Sequence, residues 1–136
     1  MAITQKTWND SLRIGVPLID LQHKQLLDQM DRLIDEMKNK KDPQQIKSIL
    51  GFLDSYVDNH FSYEESCMNL YKCPVACQNK DAHAKFMKTL AEVHQQINQN
   101  KSLDLIASRV QNELSSWFVN HIKGIDVKLN AYVNKK

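Results

Sequence analysis

Glycine and proline are scarce, three of each in 136 residues. So little turn-forming material argues against a sheet of hairpins, and the supply of Leu, Lys, Gln, Asp and Met argues for helices. Cysteine is scarce too, and odd in number: Cys67, Cys73 and Cys77 lie within eleven residues. Their spacing makes a poor disulfide framework, misses the paired pattern of structural zinc sites and contains no C-x-x-C, so a reducing compartment is expected. No apolar run approaches the roughly 20 residues of a membrane span, and the opening residues, Met1 to Lys6, lack the apolar stretch of a signal peptide. An excess of one charge is also missing. Eighteen Lys and Arg stand against sixteen Asp and Glu, a net charge of +2. The basic residues are dispersed apart from Lys38, Lys40 and Lys41 and the pair Lys135 and Lys136, which leaves no basic, aromatic-studded face for nucleic acid. The expectation is a soluble, cytoplasmic protein that meets neither membrane nor nucleic acid. It should form a single all-α domain over residues 1–136, large enough for a continuous core.

What is present is periodic. Trp8 to Pro17 is polar and carries Gly15 and Pro17, which predicts an extended N-terminal arm over residues 1–17. Helices are predicted at about 18–38, 43–71, 74–98 and 103–133. The first has Ile19, Leu26, Leu27, Met30, Leu33, Ile34 and Met37 at helical spacing, with His23 in the same stripe. Asp42 and Pro43 are placed to cap and open the second. Its stripe of Ile46, Ile49, Leu50, Leu53 and Val57 runs into His60 and Glu64 and resumes at Cys67 and Met68. Gly51, inside that helix, is expected to mark close approach by a neighbour. Pro74 is placed to open the third helix, whose inward row is Val75, Asn79, His83, Phe86, Met87, Leu90, Val93 or His94, and Ile97. His94 lies about 16 Å along the axis from His83 and is expected to be partly exposed or hydrogen-bonded at the bundle end. Cys77, close to Asn79 in the chain, reads as an inert buried thiol. Ser102 is a plausible cap for the fourth helix, which turns Leu103, Ile106, Val110, Leu114, Trp117, His121, Ile125 and Leu129 inward. Asp126 follows His121 by five residues, about 140° past a full turn, so it flanks that face unless the helix lies close to the site or a π-bulge realigns it. Short connections between four such rods predict an antiparallel up-down-up-down four-helix bundle.

One core therefore receives His23, His60, Glu64, His83, His121 and Asp126. His60 and Glu64, four residues apart, project from one helical face. An ionised carboxylate buried alone costs at least several kcal/mol, so it requires a strong partner. Four imidazoles on four facing stripes, with two carboxylates among them, are hard to satisfy without a cation. Six nitrogen and oxygen donors exceed the needs of one tetrahedral zinc, and two carboxylates suit bridging between two metals. Two ferrous ions, two carboxylates and a hydroxide come close to neutrality. The donor mixture favours iron and leaves manganese and zinc open.

These motifs resemble those of the hemerythrins, specifically the single-domain bacterial members. The likeness runs through Trp8, Gly15-Val16-Pro17-Leu18-Ile19-Asp20-Leu21-Gln22-His23, His60-Phe61-Ser62-Tyr63-Glu64-Glu65, His83-Ala84-Lys85-Phe86, and Trp117-Phe118-Val119-Asn120-His121-Ile122 with Asp126. The resemblance implies a non-heme centre of two iron ions joined by an oxo or hydroxo bridge, which binds O2 reversibly as a carrier, store or sensor. Glu64 and Asp126 would bridge the irons, His23 and His60 would belong to the O2-binding iron, and His83 and His121 to the other. Phe61, Trp117, Phe118 and Ile122 neighbour the ligands and form the expected apolar O2 pocket. One position departs from the family pattern, which has two histidines four apart on the third helix: Asn79 stands where the first should be. It offers a carbonyl oxygen, leaves its place to water, or does neither. An open position there would favour a second reading, a di-iron enzyme that reduces peroxide or nitric oxide. A third is a metal-poor interaction module.

Overall fold

The computed structural model describes residues 7–133. The start of the expected arm, residues 1–6, and the lysines at 135 and 136 lie outside the described residues. Helix α1 spans Pro17–Asp35, with proline in its first turn where its missing N–H costs nothing. It widens into a π-turn, Glu36–Lys40, and Lys41 then reverses the chain in the left-handed conformation with φ 55°. Helix α2 spans Pro43–Leu70 and is capped as expected, Asp42 Oδ1 accepting from the Gln44 N–H at 3.0 Å. Helix α3 spans Ala76–Asn98. The fourth rod is α4, Leu103–Arg109, a π-helical stretch, Val110–Ser115, and α5, Ser116–Gly124; a 3-10 turn, Asp126–Lys128, leads into α6, Leu129–Val133. Ser102 caps it, its Oγ accepting from the Leu105 N–H at 3.4 Å.

The rods form an all-α four-helix bundle: α1 packs on α2 and on the π-stretch of the fourth rod, α2 on α3, and α3 on α4. Each rod turns its apolar stripe inward, with Leu26, Leu27, Met30 and Leu33 of α1 and Leu53 and Val57 of α2 almost wholly buried. Each such side chain contributes roughly 1.5–3 kcal/mol by leaving water. No helix of the described residues is long and apolar enough to cross a membrane.

Several expectations are corrected. Pro74 lies in the turn between α2 and α3, and the helix opens at Ala76. The fourth helix is not continuous. Ile106, Val110, Leu114, Phe118 and Ile122, every fourth position, are all buried, while Trp117 is only partly buried. On a pure α-helix four-residue steps drift about 40° each, and the π-stretch, with more residues per turn, takes up that drift. Gly51 meets no neighbour among the described residues: a Cβ built on it has nothing within 4 Å. Cys77 is exposed and Cys73 is the buried thiol, because residues 77 and 79 are about 200° apart around α3. The arm is more than polar. It is not extended throughout: Asp10–Leu12 form a 3-10 turn, and Leu12, Ile14 and Val16 are buried, the last two at the two-residue period of a strap laid on a core. The strap is tied at both ends. Asp20 accepts from the Ile14 N–H at 2.7 Å and the Gly15 N–H at 3.2 Å, and Asp31 accepts from the Thr7 N–H at 2.8 Å and its hydroxyl at 2.7 Å. Gly15, with φ 85°, makes the bend that only glycine adopts without strain.

Candidate metal centre

The four rods bring His23, His60, Glu64, His83, His121 and Asp126 together in the bundle interior, none more than 5% exposed. His60 and Glu64 come from one face of α2, as four-residue spacing requires. Asp126 reaches the same place because α5 ends at Gly124. Ile125 leaves the helix with φ −118° and ψ −56°, and the following 3-10 turn swings the carboxylate back beneath His121. A break in the helix, not a π-bulge between the two residues, corrects the 140° offset.

All four imidazoles present Nε2 to the two carboxylates. Glu64 Oε2 lies 3.4 Å from His23 and 3.5 Å from His60, while its Oε1 lies 3.1 Å from His83. Asp126 Oδ2 lies 3.1 Å from His23 and its Oδ1 3.1 Å from His121. Two donor groups result, His23, His60, Glu64 and Asp126, and Glu64, His83, His121 and Asp126, each with its ligand atoms within 4.8 Å of one another. Both carboxylates belong to both groups. Yet neither oxygen of either carboxylate makes a hydrogen bond within the described residues, nor does Nε2 of His23 or His60. These atoms surround common points and do not aim at one another, an arrangement that leaves a dry interior unsatisfied unless a cation fills it.

Without a cation the site is electrostatically divided. Burial alone would depress the His23 imidazole, but Asp126 and Glu64 beside it raise it to about 9. Burial drives His60, farther from the carboxylate oxygens, down to about 3. Burial also opposes protonation of His83, and Glu64 and Glu65 outweigh it, for a net rise. Burial would raise the Asp126 carboxyl, but the His121 and His23 imidazoles hold it far below the usual carboxylate range. A proton on His23 thus stands in for a metal.

Two residues that periodicity does not reveal orient the rings. Gln22 Oε1 lies 2.6 Å from His60 Nδ1, and Glu65 Oε2 lies 3.0 Å from His83 Nδ1. An acceptor on Nδ1 fixes the tautomer that leaves Nε2 free for a metal. Of the expected O2 pocket, Phe61 stacks on His83 with centroids 3.8 Å apart, and Trp117 stacks on His121 at 4.6 Å. Phe118 meets His23 edge-on at 5.4 Å and His60 at 6.0 Å. Ile122 is buried beside them in the chain, and Phe86 joins the cluster against Phe61 and Trp117. His94 stands apart, its Nε2 2.9 Å from Asp54 Oδ1. Asn79 is fully buried, with its Oδ1 2.7 Å from His121 Nε2.

The family described as the hemerythrin HHE cation-binding domain matches residues 14–133, nearly the whole chain. The chain belongs to the hemerythrin family. Among curated relatives, the bacteriohemerythrin of Stenotrophomonas maltophilia (strain R551-3) is 27% identical over 119 residues, 88% of this chain and 75% of its own length. Those of Pseudomonas aeruginosa (strain UCBPP-PA14) and Pseudomonas paraeruginosa (strain DSM 24068 / PA7) are 26% identical over the same shares. At that identity any reading of the site rests on the chain's own side chains: six donors gather in the bundle interior, and Asn79 is buried against His121.

Proposed function

We propose that this hemerythrin-family chain holds two iron ions side by side and binds O2 reversibly through them. The observation that carries the reading is the sharing of Glu64 and Asp126 by two buried donor groups, with carboxylate oxygens that make no hydrogen bond among the described residues. Mixed imidazole and carboxylate donors suit iron. His23 and His60 would hold one ion, His83 and His121 the other, with both carboxylates bridging. When bound, the iron pair supplies the electrons that O2 takes on binding and returns on release.

The chain's own contribution is to hold, orient and keep dry. Gln22 and Glu65 fix the His60 and His83 rings. Phe118 closes the side of His23 and His60, with Phe61 and Trp117 packed against it and Ile122 buried one turn further along the helix. In so apolar a lining a small neutral gas loses little solvation on entry, while water and charged forms of oxygen are disfavoured. Three free thiols fit a reducing, cytoplasmic setting. The reductase reading needs an open position beside Asn79, where a buried amide aimed at His121 stands.

Repeated cycles of deoxygenation and O2 exposure, followed by visible absorption, test the proposal. The expected result is a band that appears with O2 and disappears on its removal over several cycles. Irreversible bleaching with consumption of added peroxide would overturn reversible binding and favour the reductase.

A further inference from the structure

The two donor groups are not equal, and Asn79 makes the difference. His121 Nε2 has three polar atoms around it: Asn79 Oδ1 at 2.7 Å, Asp126 Oδ1 at 3.1 Å and His83 Nε2 at 3.1 Å. One imidazole nitrogen carries a single proton or a single lone pair, so it satisfies one of the three at most. The Asn79 amide is wholly buried, its carbonyl end faces this cluster, and its Nδ2 has no hydrogen-bond partner among the described residues. A cation among His83, His121, Glu64, Asp126 and Asn79 makes every inward-facing atom productive at once.

Resting on the di-iron reading above, we propose that Asn79 Oδ1 is a direct ligand of the metal held by His83 and His121. That group then has five protein donors against four for the group of His23 and His60. A neutral amide oxygen in place of an imidazole leaves the charge of the site unchanged. It is a weaker donor to ferrous iron than imidazole, so it is the weakest of that ion's five protein ligands.

The test uses full-length metal-free protein, anaerobic ferrous iron and two variants. Wild type is expected to take up two ions per chain with distinct affinities and to show two resolved Mössbauer quadrupole doublets. Asn79→Leu removes the oxygen at similar volume; it should weaken one of the two ions, that of His83 and His121, at least about tenfold against a competing chelator and move one doublet only. Asn79→Asp keeps an oxygen in place and should tighten the same ion while moving the same doublet. It reads out the proposal even where the leucine variant fails to fold. Variants that bind two ions with wild-type affinities and unmoved doublets overturn the assignment of Asn79 alone. Wild type that binds fewer than two ions overturns the di-iron reading and this inference with it.

Discussion

Glu64 carries two oxygens, and each faces a different group of imidazoles; Asp126 does the same from the opposite side. At the scale of single residues that doubling distinguishes this core from one that merely buries ion pairs, because a carboxylate satisfied by one histidine would leave its second oxygen outside the cluster. The rings must also be held in orientation, which falls to Gln22 and Glu65. Gln22→Leu removes the acceptor on His60 Nδ1 and is expected to weaken iron binding by about 10–100-fold, read by competition with a chelator. Wild-type affinity in that variant would show that packing alone holds the ring. The meeting of His23, His60, Glu64, His83 and His121 was legible in the sequence because each lies in an apolar stripe; Asp126, off its stripe, was not fixed by periodicity. Gln22 and Glu65 were not legible. Each lies one residue away from a ligand, off the inward row, and its partner is on a different helix, so no local pattern marks it.

At the scale of the element, α1, α2 and α3 follow from periodicity and caps, within one to three residues. Their ends are less legible, since Lys41, Lys72 and Asn100 adopt the left-handed conformation where glycine is usual. The fourth rod shows what a stripe conceals. Residues at every fourth position suggest an α-helix, and the π-stretch that lets them all face inward has no signature of its own in the sequence. Nor does the break at Ile125, although Asp126 depends on it. Gly51 offers a direct check on α2. It is exposed within a helix interior and a Cβ there meets nothing, so Gly51→Ala should stabilise the protein by about 0.5–1 kcal/mol. Chemical denaturation measures this, and a loss of stability would mean that another helix does approach.

At the scale of the whole molecule, the apolar core of the bundle supports a group of charges that would otherwise work against it. In the metal-free protein the signs can be followed. His23, raised to about 9 from the ordinary 6.5, contributes stability that is complete below pH 6.5 and is lost as pH rises through about 9. His60, lowered to about 3, must be protonated on unfolding, so stability also falls as pH drops from 6.5 toward 3. Thermal melts of metal-free protein should therefore peak near pH 6.5 and decline on both sides; a melting temperature flat from pH 4 to 9 would refute that balance. Loaded protein should be more stable throughout the neutral range, because a ligand that binds only the folded state adds its binding free energy. The most direct measurement of the central claim is the number of ferrous ions that metal-free protein takes up under anaerobic conditions, counted per chain. Two per chain, with uptake of both abolished in Glu64→Leu, is the predicted result. Uptake of fewer than two, or wild-type loading without the Glu64 carboxylate, would contradict it.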